Sequence, residues 1–449
     1  MWNLERYKEN IAIYLESGET VSYQKIAERQ KEIGSVLRNR TVAVIVCKNT
    51  LGCILCYLSF MRKGIVPLLL PSNLREQEAL QIVQVYRAGY LCCDREYYAQ
   101  NGKPLIVVED FHIYAIPNQE KVEMSKELAV LLTTSGSTGD SRCVRLSEIN
   151  VKSNASSICH YLGLTAKERA ITSLPFHYTY GLSVIHSHLL CGAALLLTDK
   201  NVLQKEFWQF AEREGATSFA GVPFTYEMMD WFRLLEKLPK SIRTLTQAGG
   251  KLEPELQKKI AKLAIDRNIH FYIMYGQTEA TARISYLHPS LALDKIGCVG
   301  KTIPGGKIWI SEQNEVCYQG PNVCLGYAQS YLDLIKEDEN NGILYTGDLG
   351  YIKDGLLYLE GRKNREVKIN GRRIHLEHVE ANWKKYFHNN MICSFHDKKL
   401  YLMVEGKFSQ DSVKKLREWI PILEKDIIVQ EVERLPRKAN GKVDIAVNP

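Results

Sequence analysis

The chain has 449 residues, 45% of them hydrophobic and 24% charged, an ordinary globular composition whose length suggests about three domain-sized units. Its twelve cysteines are scattered through apolar segments such as VAVIVC and GYLCCD, where a thiol behaves as a small hydrophobe, so a reducing cytosol and a cytoplasmic localisation are expected. The net charge of +7 is local: Arg362 to Pro449 holds 19 basic and 12 acidic residues and the remainder 39 of each, which fits either a solvated surface or a face for an acidic partner and disfavours nucleic acid.

The N-terminus, MWNLERYKEN, is charged and has no apolar stretch, so no secretory signal is expected. The nearest approach to a membrane span, LGCILCYLSFMRKGIVPLLL from Leu51, is broken by Arg62 and Lys63 and contains Gly64 and Pro67. It reads as a buried helix, a turn and a buried strand, and no membrane span is expected. Cys53 and Cys56 within it have C-x-x-C spacing, but no further ligands lie nearby, and core packing is the expectation. Up to about residue 310, apolar runs alternate with longer helical patterns: TVAVIVC, IVPLLL, ELAVLLTT, GAALLLTD, TSFAGVP, IRTLTQAGG and FYIMYG. Continuous runs of strand length imply strands covered on both faces, as in an α/β parallel sheet. After Lys301, KIWIS, EVCYQG, ILYTGDLGYI and LLYLEGR read as small antiparallel strands separated by Gly, Asn and Asp. REVKINGRRI then reads as a hairpin turning at Asn370-Gly371, and helical patterns follow at LEHVEANWKKYF and SQDSVKKLREWI. The change in charge and texture puts a domain boundary near Gly361 to Arg365.

Five segments carry chemistry. In LLTTSGSTGDSRCVRLS, an apolar strand delivers Thr134, Ser135, Gly136, Ser137, Thr138 and Gly139, a loop of hydroxyl and backbone N–H donors suited to polyphosphate. It is not a Walker loop: counting from Gly136, the second glycine position is Ser141, which argues against a P-loop kinase or GTPase. FYIMYGQTEATARIS contains Tyr275-Gly276-Gln277-Thr278-Glu279, and LYTGDLGYI contains Thr346-Gly347-Asp348. LEGRKNREVKINGRRIHLEHVE begins at Leu359, and LPRKANGKVD places Lys442 in a basic strip near the end of the chain.

In this order, these segments resemble the adenylate-forming superfamily: AMP-forming acyl-CoA synthetases, adenylation domains of peptide synthetases, and luciferases. VSYQKI, FMRKGIVPLLLPSN, SLPFHYTYGL, AGVP and QAGGKL extend the resemblance over nearly the whole chain. The resemblance implies an α/β fold: a large N-terminal domain, residues 1–361, of parallel α/β sheets with a small antiparallel barrel-like part, and a small mobile α+β C-terminal domain, residues 362–449. Asn364 matches the hinge position, where relatives commonly have Asp or Lys; Asn tolerates unusual φ.

The resemblance also implies roles. The Thr134–Gly139 loop and Arg142 would hold phosphate, Asp348 and Arg362 the ribose, and Tyr275 a stacking face for adenine beside Gly276. Gly249 and Gly250 would let the backbone lie against the other side of the base. Thr278 would donate to the α-phosphate, and Glu279 would supply a hard oxygen for Mg²⁺. Lys442 would carry the chemistry, its ammonium lying between a carboxylate and the phosphate it attacks. His177, Tyr178, Tyr180, Gly181 and Val222 would line the acyl pocket, with His177 also near the reacting group. Gly371 would clear a tunnel for a pantetheine arm, and Arg373 would meet CoA phosphate. Singly, these residues read as a turn Asp, an exposed Arg, a capping Thr or a wall His; only the order of motifs makes them a site.

Two departures matter. Ser141-Arg142-Cys143 stands where relatives have P-K-G, and Arg spreads its charge over a planar fork. His177 follows Phe176 where amino-acid-activating relatives commonly carry an Asp for the substrate ammonium, which favours an acyl or aryl acid. The expected enzyme uses ATP and Mg²⁺ to convert a carboxylic acid to an acyl-adenylate and pyrophosphate, then passes the acyl group to CoA or to an acidic acyl or peptidyl carrier protein. The alternatives are an aminoacyl-carrier-protein ligase and a nucleotide-binding pseudoenzyme, the latter suggested by Arg142 and Cys143.

Overall fold

The computed structural model describes residues 4–38, 40–94, 103–117, 122–133, 142–369, 372–437 and 443. The chain divides into two compact units, the first built from Met1–Gly136, Asp140–Lys307 and Gln319–Leu344, the second from Ile308–Tyr318 and Tyr345–Pro449.

The first unit rests on two sheets whose central strands are the continuous apolar runs of the sequence. In one, Leu128–Thr133, Val66–Pro71, Val42–Cys47 and Tyr90–Asp94 lie side by side and parallel, with antiparallel strands added at both edges, among them Cys143–Ser147 beside Leu128–Thr133 and Gly326–Ala328 outside that. In the other, Ile11–Leu15, Ala194–Leu197, Arg169–Ile171, Ser218–Gly221, Thr244–Gln247 and His270–Tyr275 run parallel in that spatial order, and Ser285–Leu287 and Cys298–Thr302 continue it antiparallel. All six residues of Val42–Cys47 are buried, as a strand covered on both faces requires.

The segment from Leu51 resolves as expected into the helix Leu51–Lys63, a left-handed cap at Gly64 with φ of 68°, and the strand Val66–Pro71. Cys53 and Cys56 are fully buried in the core on that helix. Among the described residues no helix is long and apolar enough to cross a membrane.

In the second unit, Asp348–Lys353 pairs antiparallel with Leu356–Arg362. The strand that contains the first of these, Ile343–Lys353, matches the expected segment ILYTGDLGYI to within one residue and carries a register shift at Leu349/Gly350. Glu366–Ile369 and Arg372–His375 pair as the expected hairpin, and the register Ile369↔Arg372 is that of a two-residue connection. The helices Leu376–Phe387 and Gln410–Trp419 pack with Met391–His396, Lys399–Glu405 and Ile427–Val432 around a core centred on Trp383, Leu402 and Leu416.

Asn364 is bracketed by ion pairs. On one side Lys363 Nζ lies 2.9 Å from Glu315 Oε2; on the other Arg365 pairs with Glu380 of the helix Leu376–Phe387. Burial pushes the Glu380 carboxyl up to about 6, partly offset by the neighbouring Arg365 charge and the Cys393 N–H at 2.9 Å.

The helix Thr179–Leu190 and the turn before it hold three histidines in neutral form, His186 and His188 buried and His177 half-buried. His186 Nε2 lies 2.8 Å from the Tyr57 hydroxyl, and His188 Nδ1 lies 2.8 Å from Val184 O. Burial pushes His177 down to about 4 and His186 to about 3 from an ordinary 6.5, and lowers His188 as well. A depressed imidazole contributes stability that is present above the unfolded value and lost as pH falls from 6.5 towards 4 and below, because only the unfolded chain takes up the proton there. Tm should therefore drop steeply through that window. His186→Gln should flatten the slope in paired melts at several pH values, and an unchanged slope would contradict this account.

Candidate active site

The parallel strands of the second sheet set up the site. Ser218–Gly221, Thr244–Gln247 and His270–Tyr275 are in register, so the segments leaving their carboxyl ends emerge together: Val222, then Gly249-Gly250, then Gly276 to Glu279. Arg169–Ile171 lies beside Ser218–Gly221 in the same direction and leads to His177 and Tyr178. Crevices at the carboxyl ends of parallel strands are where α/β folds hold ligands.

Close approach at this edge dictates several residues. Gly249 has φ of +89°, and a Cβ there would lie 2.6 Å from the Tyr178 hydroxyl and 3.2 Å from Val222 Cγ1. Gly250 is less constrained, with Pro223 Cγ at 3.2 Å. Gly181 is explained by the turn that precedes its helix, since its Cβ would come within 2.4 Å of Pro175 O. Tyr180 is buried, with its hydroxyl 2.7 Å from Thr246 Oγ1. Burial pushes the Tyr178 hydroxyl up to about 12. With His177 held neutral, this wall offers hydrogen bonds but no charge to the space beside it.

The loop after Tyr275 is held from several directions. A Cβ on Gly276 would lie 1.9 Å from Ala282 O, so the chain folds back on itself directly over this glycine. Thr281 and Ala282 carry φ of 52° and 105°, costly for residues with a Cβ. Buried Asn322 stabilises that conformation by donating to Ala280 O at 2.7 Å and Arg283 O at 2.8 Å, while its own carbonyl accepts from Thr281 Oγ1 at 2.7 Å. The Tyr327 hydroxyl donates to Glu279 Oε1 at 2.8 Å, and the Arg142 guanidinium sits 4.1 Å from the Tyr327 ring centre. Arg142 at the end of the phosphate-loop segment is thus linked to the Glu279 carboxylate through one aromatic ring.

Tyr327 owes its place to Arg145. This guanidinium, with no exposed side-chain surface, donates to the carbonyls of Tyr327 at 3.1 Å, Leu325 at 2.9 Å, Glu337 at 3.1 Å and Lys336, and pairs with Glu339 at 2.6 Å. In the second unit, Asp348 and Arg362 are cross-strand partners, with Arg362 Nε 3.4 Å from Asp348 Oδ1. Gly347, with φ of +71°, donates its N–H to Glu315 Oε1 at 3.0 Å.

The structure thus brings His177, Tyr178, Val222, Gly249, Gly250, Gly276, Thr278 and Glu279 to one sheet edge, and pairs Asp348 with Arg362. Thr134, Ser135, Gly136, Ser137, Thr138, Gly139, Gly371 and Lys442 lie outside the described residues, as do the side chains of Asn364 and Arg373. Sequence reasoning missed Arg145, Arg283, Asn322 and Tyr327. The only available signals were the two arginines inside apolar runs, CVRLS and TARIS.

This sheet edge with its Gly-Gln-Thr-Glu loop fits an adenylate-forming enzyme, and the chain belongs to the AMP-binding enzyme family, whose sequence profile matches residues 1–328. Among curated relatives, the 2-succinylbenzoate–CoA ligase of Bacillus cereus strain AH820 is 27% identical over 378 residues, 79% of this chain and 74% of the relative. That of Bacillus subtilis strain 168 is 24% identical over 406 residues, 85% and 81% of the two chains. The solved structure of O-succinylbenzoate coenzyme A synthetase from Bacillus subtilis in complex with AMP superposes with a TM-score of 0.77 at 22% identity, covering 99% of this chain and 97% of the other, and so shares the fold.

Proposed function

We propose that this protein is an AMP-forming acid–thiol ligase that uses ATP to activate a non-amino carboxylic acid, acyl or aryl, and passes it to a thiol. The observation that carries the reading is the convergence of the Thr278-Glu279 loop, the Gly249-Gly250 turn and the His177-Tyr178 wall on one sheet edge in a chain of the AMP-binding family. The 2-succinylbenzoate–CoA ligases among its relatives support an aryl or acyl acid and CoA over an amino acid. The neutral wall at His177 supports the same choice, since it offers no carboxylate to a substrate ammonium.

Glu279 suits a magnesium ion: Tyr327 fixes one carboxylate oxygen and leaves the other to bind, and this ion needs only one or two carboxylates besides substrate phosphates. When bound, the ion would neutralise charge on the polyphosphate. Thr278 would donate to the α-phosphate, Asp348 and Arg362 would hold the ribose hydroxyls, and Lys442 would bring the two anionic reactants together. Residues 362–449 would then turn about Asn364, withdrawing Lys442 and bringing Gly371 and Arg373 towards the thiol. The ion pairs on either side of Asn364 support this position for the pivot. The twelve free cysteines support a reducing cytosol.

Acid-dependent exchange of labelled pyrophosphate into ATP tests the first step. Exchange with acyl or aryl acids and none with amino acids is expected; the reverse would replace this reading with an aminoacyl ligase, and no exchange with either class would leave a nucleotide-binding pseudoenzyme. The basic excess after Arg362 favours an acidic carrier protein as an acceptor at least equal to CoA. Turnover with the carrier-linked thiol should then fall as salt rises from about 0.05 to 0.5 M while turnover with free CoA changes little. Equal, salt-insensitive rates would remove the carrier.

A further inference from the structure

Ten of the twelve cysteines are buried, and the two that are only partly buried, Cys159 and Cys191, are neighbours in space. Cys159 lies in the last turn of the helix Glu148–Leu162, and Cys191 caps the carboxyl end of the helix Thr179–Leu190, which packs against it. Both residues converge on one acceptor: the Cys159 thiol donates to Ser187 O at 3.1 Å, and the Cys191 backbone N–H donates to the same oxygen at 3.3 Å. The Cys191 sulfur lies 3.4 Å from His188 O and, on its exposed side, 3.8 Å from Thr165 O. Contact between the two thiols holds Cys191 below the usual thiol range and pushes Cys159 above it. Cys47 and Cys53, and Cys56 and Cys92, also meet, but inside the closed core, where burial raises the Cys47 and Cys92 thiols well above their usual range. Such thiols are inert, whereas a reachable thiol with thiolate character is open to oxidation. The chain between Cys159 and Cys191, 31 residues long, carries His177, Tyr178, Tyr180 and Gly181 of the site wall.

From this geometry we infer that Cys159 and Cys191 are a modification site, a dithiol that a peroxide closes to an intramolecular disulfide, tying together the base of the segment that bears the site wall. Cys191, as thiolate, attacks one peroxide oxygen; the O–O bond breaks, the departing hydroxide takes up the thiol's proton as water, and a sulfenic acid remains. The Cys159 sulfur then attacks the Cys191 sulfur, the S–O bond breaks, and a second water leaves with the Cys159 proton. Two electrons pass from the sulfurs to the peroxide. Ser187 O loses the S–H donor but keeps the Cys191 N–H, so closure leaves no carbonyl without a partner there. In a reducing compartment a partly exposed bond of this kind reopens, and the pair rests as thiols. The inference stands apart from the ligase reading, since neither thiol is among the residues assigned to the reaction.

The test uses the reduced, full-length chain. Brief labelling with iodoacetamide, read by peptide mass mapping, should mark Cys191 at least about tenfold faster than any buried cysteine. A few equivalents of hydrogen peroxide should then give one cross-linked peptide joining Cys159 to Cys191, reversed by dithiothreitol. The cross-linked protein should melt on the order of 5 °C higher than the reduced one, because closing a loop of this length restricts the unfolded chain. Cys159→Ser should lose both the cross-link and the gain in Tm, and should leave Cys191 as a sulfenic acid that dimedone traps. If that variant does not fold, the wild-type peptide map and melt decide alone. Peroxide that leaves both thiols free, oxidises them separately or joins two chains overturns the proposal, as does a cross-linked form that melts no higher than the reduced protein.

Discussion

Gly276→Ala should abolish adenylation and lower stability by more than about 4 kcal/mol, a loss seen only when a substitution meets something that cannot yield. The new methyl would lie 1.9 Å from Ala282 O, 2.6 Å from its carbonyl carbon and 2.8 Å from Arg283 Cα, all backbone atoms. A side chain in the way could rotate, but this backbone cannot, because Asn322 clamps it through Ala280, Thr281 and Arg283. The loop must therefore open, carrying Thr278 and Glu279 away from the sheet edge and breaking the Glu279–Tyr327 hydrogen bond. Gly250→Ala is the control: its methyl would meet only the Pro223 ring, at 3.2 Å, and should cost far less. Thermal melts and pyrophosphate exchange on both variants decide the matter; a Gly276→Ala variant that stayed active and stable would refute the geometry of the loop.

The second large effect belongs to Lys442. Lys442→Ala should slow acid-dependent pyrophosphate exchange by about 10²–10³-fold, the magnitude typical of removing one preorganised electrostatic contact from a reacting centre. Thiolysis of a synthetic acyl-adenylate should change no more than a few-fold, because the proposed rotation removes this lysine before the thiol arrives. If both half-reactions fell together, the lysine would serve folding or binding generally; if neither fell, the adenylation mechanism would lose its cation. Measuring the two half-reactions separately distinguishes these results.

Elements whose physics is local were legible in the sequence. The runs VAVIVC, VPLLL and AVLLT are strands because their residues are apolar on both faces, and the interruption at Arg62 to Gly64 ends a helix where a charged last turn and a left-handed glycine must. The spacing of Ile369 and Arg372 fixed their hairpin register for the same reason. What escaped depends on contacts between distant positions. The Tyr327 hydroxyl reaches Glu279 across 48 residues of chain, and Arg145 collects carbonyls 180 and 182 residues away, so no local pattern announces either. The extent of Ile343–Lys353 was legible to within one residue as ILYTGDLGYI, but the irregularity in its register at Leu349/Gly350 was not. The candidate site was legible through the order of its motifs, and its inner surface, with Arg283 stacked on Tyr180, was not.

The two clamps beside Asn364 bear on how the proposed rotation would proceed. Lys363 holds to Glu315 and Arg365 to Glu380, so torsion confined to the intervening residue breaks neither attachment. Swivelling there would exchange no ionic contacts in its immediate surroundings, and the energy separating two working postures would be set by whatever the turning part leaves and meets farther out. Cargo and acceptor could then set the balance, while the axle itself stays indifferent.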